Sequence, residues 1–258
     1  MTTLLYSSFE TKDFSSSSVT APEITQVTGV NDCIAVVDDD FCWLQTNRNV
    51  GNMVPGLSTD WLRNRERGMH IFSQLSSVAL GRVVRMKPLN QSSFVDLDLL
   101  DTVPDVIETD GFITSDTDLI MNANPADCGE VAVVGHSSRL DKRVAALLHA
   151  SRKIVDEGGH IQALDYFTET YGVSTREMKV VMSPSARKES YKFEDISEEQ
   201  KVDFIWHSFI HEDDEGYWHV DFHGKTIDDL LAFGIQPDNI IDTGVDTISD
   251  PDYYSSFE

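Results

Sequence analysis

Two residues in this 258-residue sequence have side chains and positions suited to chemistry: Cys128, which closes the tripeptide Ala126-Asp127-Cys128, and His149, in Leu148-His149-Ala150. A thiol with an ordinary pKa of about 8.5 is mostly protonated near neutral pH, and a neighbouring imidazole can take its proton and leave a nucleophile. The same two groups could instead hold a soft divalent metal such as Zn²⁺. A cysteine beside a strand also serves as a small packed hydrophobe, and a histidine at a strand end as a hydrogen-bonding residue. What separates these uses is whether the two side chains meet.

The elements around them argue that they do. Val131 to Val134 and Val144 to Leu148 are short apolar runs separated by the polar stretch HSSRLDK, the pattern of two buried strands and a turn. Cys128 lies before the first strand and His149 after the second. An antiparallel pairing therefore predicts that thiol and imidazole converge.

Further elements follow from the same reading. Ile34 to Val37 and Phe41 to Leu44 form a predicted hairpin around three aspartates, with Cys33 and Cys42 as packing residues. Asp60 to Ser76 has helical spacing of Leu62, Met69, Phe72 and Leu75, and Asp60 can cap its start. Val83 to Met86, Phe94 to Leu100 and Lys179 to Met182 read as strands. Gly159 to Tyr171, Ser197 to His207 and Thr226 to Phe233 read as helices, the first ending near Gly172 and the last stopped by Gly234. Strands alternating with helices predict an α/β fold: a single domain of mixed β-sheet with flanking helices, over residues 23–258. Residues 1–22, rich in Ser and Thr, read as a flexible tail or an added edge strand.

Composition narrows the function. Forty-four acidic against 20 basic residues give a net charge of −24, which repels nucleic acid and anionic membrane surfaces, so neither is expected as a partner. Arg152 and Lys153, next to His149, become the candidate contacts for an anionic substrate against that background. Arg139 lies nearby in sequence. Three scattered cysteines make no disulfide framework, no apolar run approaches the ~18 residues of a membrane span, and no secretory signal opens the chain. A cytoplasmic location is the expectation. A rival cluster sits in HEDDEGYWHVDFH: on one strand, His219, Asp221 and His223 would face the same way, as metal ligands do.

The stretch beginning at Asp110 resembles the laccase-domain, or YfiH-like, family of multicopper polyphenol oxidases. Asp110, Thr114 and Leu119 fall in step with the family's opening strand, Ala126-Asp127-Cys128 is its ADC tripeptide, and residues 149–154, HASRKI, stand where the family has HAGWRG. Ser183, Pro184 and Tyr191 match the later GPxIxxxxYEV segment. Val220 to Phe222 and the run Thr247 to Ser255 match two final segments, so the resemblance covers roughly Leu62 to the C-terminus.

The resemblance implies a site at Cys128 and His149, zinc as its metal, and a small-molecule substrate, a nucleoside, whose C–N bond is broken: purine nucleoside phosphorolysis, adenosine deamination, or trimming of wrongly made peptidoglycan precursors. It also implies a substrate-pocket role for Arg48, near the place of the family's TRxGGVS turn. Phenol oxidation at copper also attaches to the family, but a multicopper centre needs many more histidines in close motifs than this sequence has, so none is expected. Family members carry a third zinc ligand, the histidine of QVHG, and Leu89 stands at that place here. That departure opens two alternatives of other classes: a binding or regulatory protein that kept the fold and lost the chemistry, and a metal-free cysteine hydrolase or amidase.

Overall fold

The computed structural model describes residues 2–6, 24–26, 33–38, 41–49, 59–76, 82–198, 201 and 205–256. In chain order the strands are β1 Thr2–Tyr6, β2 Ile24–Gln26, β3 Cys33–Asp38, β4 Phe41–Thr46, β5 Arg82–Lys87, β6 Val95–Asp96, β7 Val106–Glu108 and β8 Gly111–Thr114. There follow β9 Leu119–Ala123, β10 Gly129–Ser137, β11 Lys142–Ala150, β12 Lys179–Met182, β13 Lys192–Phe193, β14 Ile210–Glu212, β15 Trp218–Val220 and β16 Ile240–Asp242. The helices named here are α1 Trp61–Ser76, α2 Arg152–Asp156, α3 Gly159–Tyr171 and α4 Phe222–Ala232.

The hairpin of β10 and β11 is the centre of the molecule. Its strands are nearly continuous runs of Val, Ala and Leu, and such runs form strands buried on both faces. One face, with Val131, Val133 and Leu148, packs on Leu164 and Phe167 of α3. The other, with Ala132, Val134 and Leu147, packs on Trp43 and Met121 of a second sheet. Each such large apolar side chain, fully buried, contributes roughly 1.5–3 kcal/mol.

The hairpin's own sheet runs β16-β12-β10-β11-β8-β6, and the second runs β2-β3-β4-β1-β9-β5-β7; both mix parallel and antiparallel neighbours. Helix α1 covers the outer face of the second sheet through Met69 and Phe72 on Leu44 and Ile120. A small antiparallel sheet, β13-β15-β14, lies beside α2 and α4. This is the expected α/β architecture of mixed sheets with helices outside.

Three local expectations change. Thr2–Tyr6, assigned to a tail, pairs on both sides, with β4 and with β9, so it lies inside the second sheet and not at its edge. The strand expected over Phe94 to Leu100 shortens to β6 and turns into a 3₁₀ helix at Leu97–Leu99, because the Asp96 carboxylate accepts the Asp98 N–H and offers the backbone another partner. Helix α4 starts four residues earlier than its periodicity implied, capped by Asp221, whose carboxylate accepts the Gly224 N–H. The helix expected at Ser197 to His207 falls largely outside the described residues. The end of α3 is as expected: Gly172, at φ 66°, donates its N–H to Thr168 O at 2.8 Å. No helix among the described residues is long and apolar enough to cross a membrane.

Candidate functional site

His149 is the residue the fold prepares most thoroughly. It sits at the end of β11, 5 % exposed, and its Nδ1 lies 3.4 Å from Asp110 Oδ1. The pairing of β8 with β11 sets Gly111 against Leu148, so Asp110 falls opposite His149, and the His149 N–H donates to Asp110 O at 2.8 Å.

Asp110 is itself fixed by the loop after β5. The N–H groups of Leu89, Asn90 and Gln91 donate to its carboxylate at 2.8–2.9 Å, and the Ser93 hydroxyl donates at 3.2 Å. Positive φ at Asn90 and Ser92 curls this backbone into a concave nest of N–H groups, an arrangement that binds anions. Burial pushes the Asp110 carboxyl up, but the hydrogen bonds from His149 and the three N–H groups outweigh it and hold the group well below the usual carboxylate range. Asp110 is thus an anion at working pH. An ionised carboxylate there accepts from an imidazole N–H at Nδ1 and orients the ring, as the partners of general-base and metal-ligating histidines do.

Cys128 lies one residue before β10 and is half-buried. The loop that carries it is stitched to the C-terminal segment: Asp127 accepts from the Thr247 hydroxyl at 3.0 Å and from the Ser256 N–H and hydroxyl at 2.6 and 2.7 Å. The hairpin forms as expected, but its register pairs His149 with Glu130. Cys128 precedes β10, so it lies next to that pair and not within the ladder. No hydrogen bond joins it to His149 among the described residues. Burial, with the charges of Asp127 and Glu130, pushes the thiol up to about 11, the reverse of what a nucleophilic cysteine needs.

The predicted basic residues divide between two places. Arg152 and Lys153 open α2, three and four residues after His149, and face a cleft of about 260 Å³ walled by Trp206, Ile210 and Val220. Arg48 is elsewhere, against the C-terminal segment: its N–H donates to Asp252 O at 2.6 Å and its guanidinium lies 5.2 Å from the Tyr254 ring centre.

The donors for zinc are incomplete. Leu89 does stand beside Asp110 and His149, as the resemblance placed it, but it brings its N–H to Asp110 and an isobutyl group without a lone pair. Among the described residues no three His, Cys, Asp or Glu side chains converge as a metal would require. The rival cluster dissolves. β15 ends at Val220 and α4 begins at Phe222, so His219, Asp221 and His223 share no strand face. His219 is engaged by Lys188 O and Asp213, Asp221 caps α4, and His223 meets Ser185 Oγ at 2.9 Å with Asp242 at 3.3 Å.

Sequence reasoning missed the working partner of His149. Asp110 and Tyr191 were visible only as motif letters, and Glu130 carried no signal at all. The clue was available: an aspartate before a glycine that opens a buried strand has its carboxylate at a sheet end, where a neighbouring strand's last polar residue must lie.

The comparisons agree with this fold. A family model described as "Multi-copper polyphenol oxidoreductase laccase" matches residues 47–257. The crystal structure of the hypothetical protein YfiH of Bacillus licheniformis superposes with a TM-score of 0.64 at 17% identity, covering 91% of each chain. That of YlmD from Geobacillus stearothermophilus gives 0.65 at 15%, covering 93% of this chain and 92% of the other. No curated protein matches the sequence. With the family pattern running through most of its length, from the loop after β4 to the C-terminal segment that anchors Asp127, the chain belongs to the multi-copper polyphenol oxidoreductase laccase, or YfiH-like, family.

Proposed function

We propose that this protein cleaves the C–N bond of a purine nucleoside, by deamination or phosphorolysis, with His149 as its proton-transferring residue. The observation that carries the reading is the oriented imidazole: His149 held at 3.4 Å by a carboxylate that three backbone N–H groups keep ionised. In deamination, His149 Nε2 accepts a proton from water as its oxygen bonds to the purine C6, then returns it to the departing amine, so adenosine and water give inosine and ammonia. In phosphorolysis the phosphate oxygen bonds to C1′ as the glycosidic bond breaks, and the same nitrogen holds the proton shared by phosphate and purine. Zn²⁺ would supply an activated water or phosphate, but the residues in place do not complete its ligand set, and no step here passes through it.

A second reading, a protein of this fold that binds and no longer reacts, is favoured by Leu89 and by the protonated thiol of Cys128. A cysteine hydrolase fits less well, since a thiol at about 11 is only about one part in 10⁴ thiolate at pH 7.

The experiment is incubation of the purified protein with adenosine or inosine, with and without phosphate, followed by chromatography. Product is expected from the wild type. His149→Ala should lower its rate by ~10²–10⁴-fold, and Asp110→Asn should also slow it with substrate KM nearly unchanged. Absence of product from the wild type, with nucleoside binding retained, establishes the second reading instead.

A further inference from the structure

The guanidinium of Arg152 is held by an aromatic face rather than by an acid. The acidic residues outnumber the basic ones by more than two to one, and most half-buried cations here have found partners: Arg187 is paired with Asp242, Lys201 with Asp195 and Glu198, Lys225 with Asp229. Arg152, half-buried, makes no hydrogen bond and no ion pair among the described residues. What holds it is the face of Phe193, whose ring centre lies 5.3 Å away, with Tyr191 edge-on to that ring at 4.8 Å. The stack fixes the guanidinium plane while leaving its N–H groups available, which is how arginine is presented to an oxyanion.

The surroundings say what accompanies that oxyanion. Arg152 and Lys153 share the cleft of about 260 Å³ with Trp206, Ile210 and Val220, so two cations border an apolar wall. The acidic residues there are already engaged. Asp156 accepts the Trp206 indole N–H, and Glu157 accepts the Ser92 hydroxyl while lying 3.7 Å from Lys153. The space is of the order of one nucleobase with its sugar, lined as small-molecule sites are, by apolar groups with a few placed charges.

We propose that the cleft between α2 and the small sheet binds a nucleoside monophosphate, its phosphate on Arg152 and Lys153 and its ring system against the Trp206, Ile210 and Val220 wall. The inference rests on the proposed nucleoside chemistry and narrows its substrate to the phosphorylated form.

The test is calorimetric binding of adenosine 5′-monophosphate, adenosine and inorganic phosphate to the full-length protein. The monophosphate should bind ~10–100-fold more tightly than adenosine, since a hydrogen bond to a charged group contributes about 1.5–3 kcal/mol. Phosphate alone should bind weakly and compete. Arg152→Gln should lose a similar ~10–100-fold, and Lys153→Ala, at an exposed position, should lose less and flatten the salt dependence. Equal affinity for adenosine and its monophosphate, or an Arg152→Gln variant that binds unchanged, overturns the proposal. Binding in the absence of turnover would leave the cleft standing and remove the reaction proposed above.

Discussion

At the scale of single residues, Asp110 links stability to chemistry. Its carboxyl is buried, and the hydrogen bonds that hold it ionised in the fold are absent in the unfolded chain, where an aspartate has a pKa of about 3.9. A depressed folded value means the unfolded chain binds the proton first. The stabilisation is therefore full above pH ~5 and is lost as pH falls through the unfolded value towards the folded one. Asp242, held low against its burial by His223 and Arg187, contributes with the same sign. Denaturant midpoints measured from pH 6 down to pH 2 should fall steeply below pH 4. In Asp110→Asn the curve should start lower, by ~1–3 kcal/mol, and be flatter; an unchanged acid limb would mean the nest does not hold a carboxylate. Cys128 shows the opposite electrostatics: burial and two acidic neighbours push its thiol up to about 11, while His149 is oriented by a carboxylate.

At the scale of elements, the register of the β10–β11 hairpin decides what meets what. Side chains alternate faces with a period of two, so the pairing of Glu130 with His149 fixes which groups share the space around the imidazole. The switch from β15 to α4 at Asp221 decides as much for the rival histidines. The Asp221 carboxylate satisfies the Gly224 N–H at 2.7 Å, and the helix it starts carries His223 to Ser185 and Lys225 to Asp229. Asp221→Ala should cost ~1 kcal/mol of stability in urea unfolding, with the secondary-structure content unchanged. A loss of less than a few tenths would mean that packing of Phe222 and Leu230 alone sets the start of α4.

At the scale of the whole molecule, charge and metal are the open quantities, and metal content is the direct measurement. With Leu89 in place of a ligand, the purified protein is expected to hold well under one zinc per chain, and removal of loose metal by a chelator should leave its unfolding midpoint unchanged. Stoichiometric zinc, lost in Cys128→Ser, would show instead that a further donor completes the site. Much of the molecule was legible from its residues alone. The central hairpin, α1, α3 and the α/β class follow from apolar period and capping, because those depend on neighbours in sequence, and the family follows from motif order. The approach of Leu89 to the site was legible in the same way. The partner of His149, the pairing of Glu130 with it, the interior place of β1 and the stacking of Arg152 on Phe193 were decided only by tertiary structure. Each depends on register or on which strands become neighbours, and a shift of one residue, invisible to local propensity, moves every side chain on a strand to the other face.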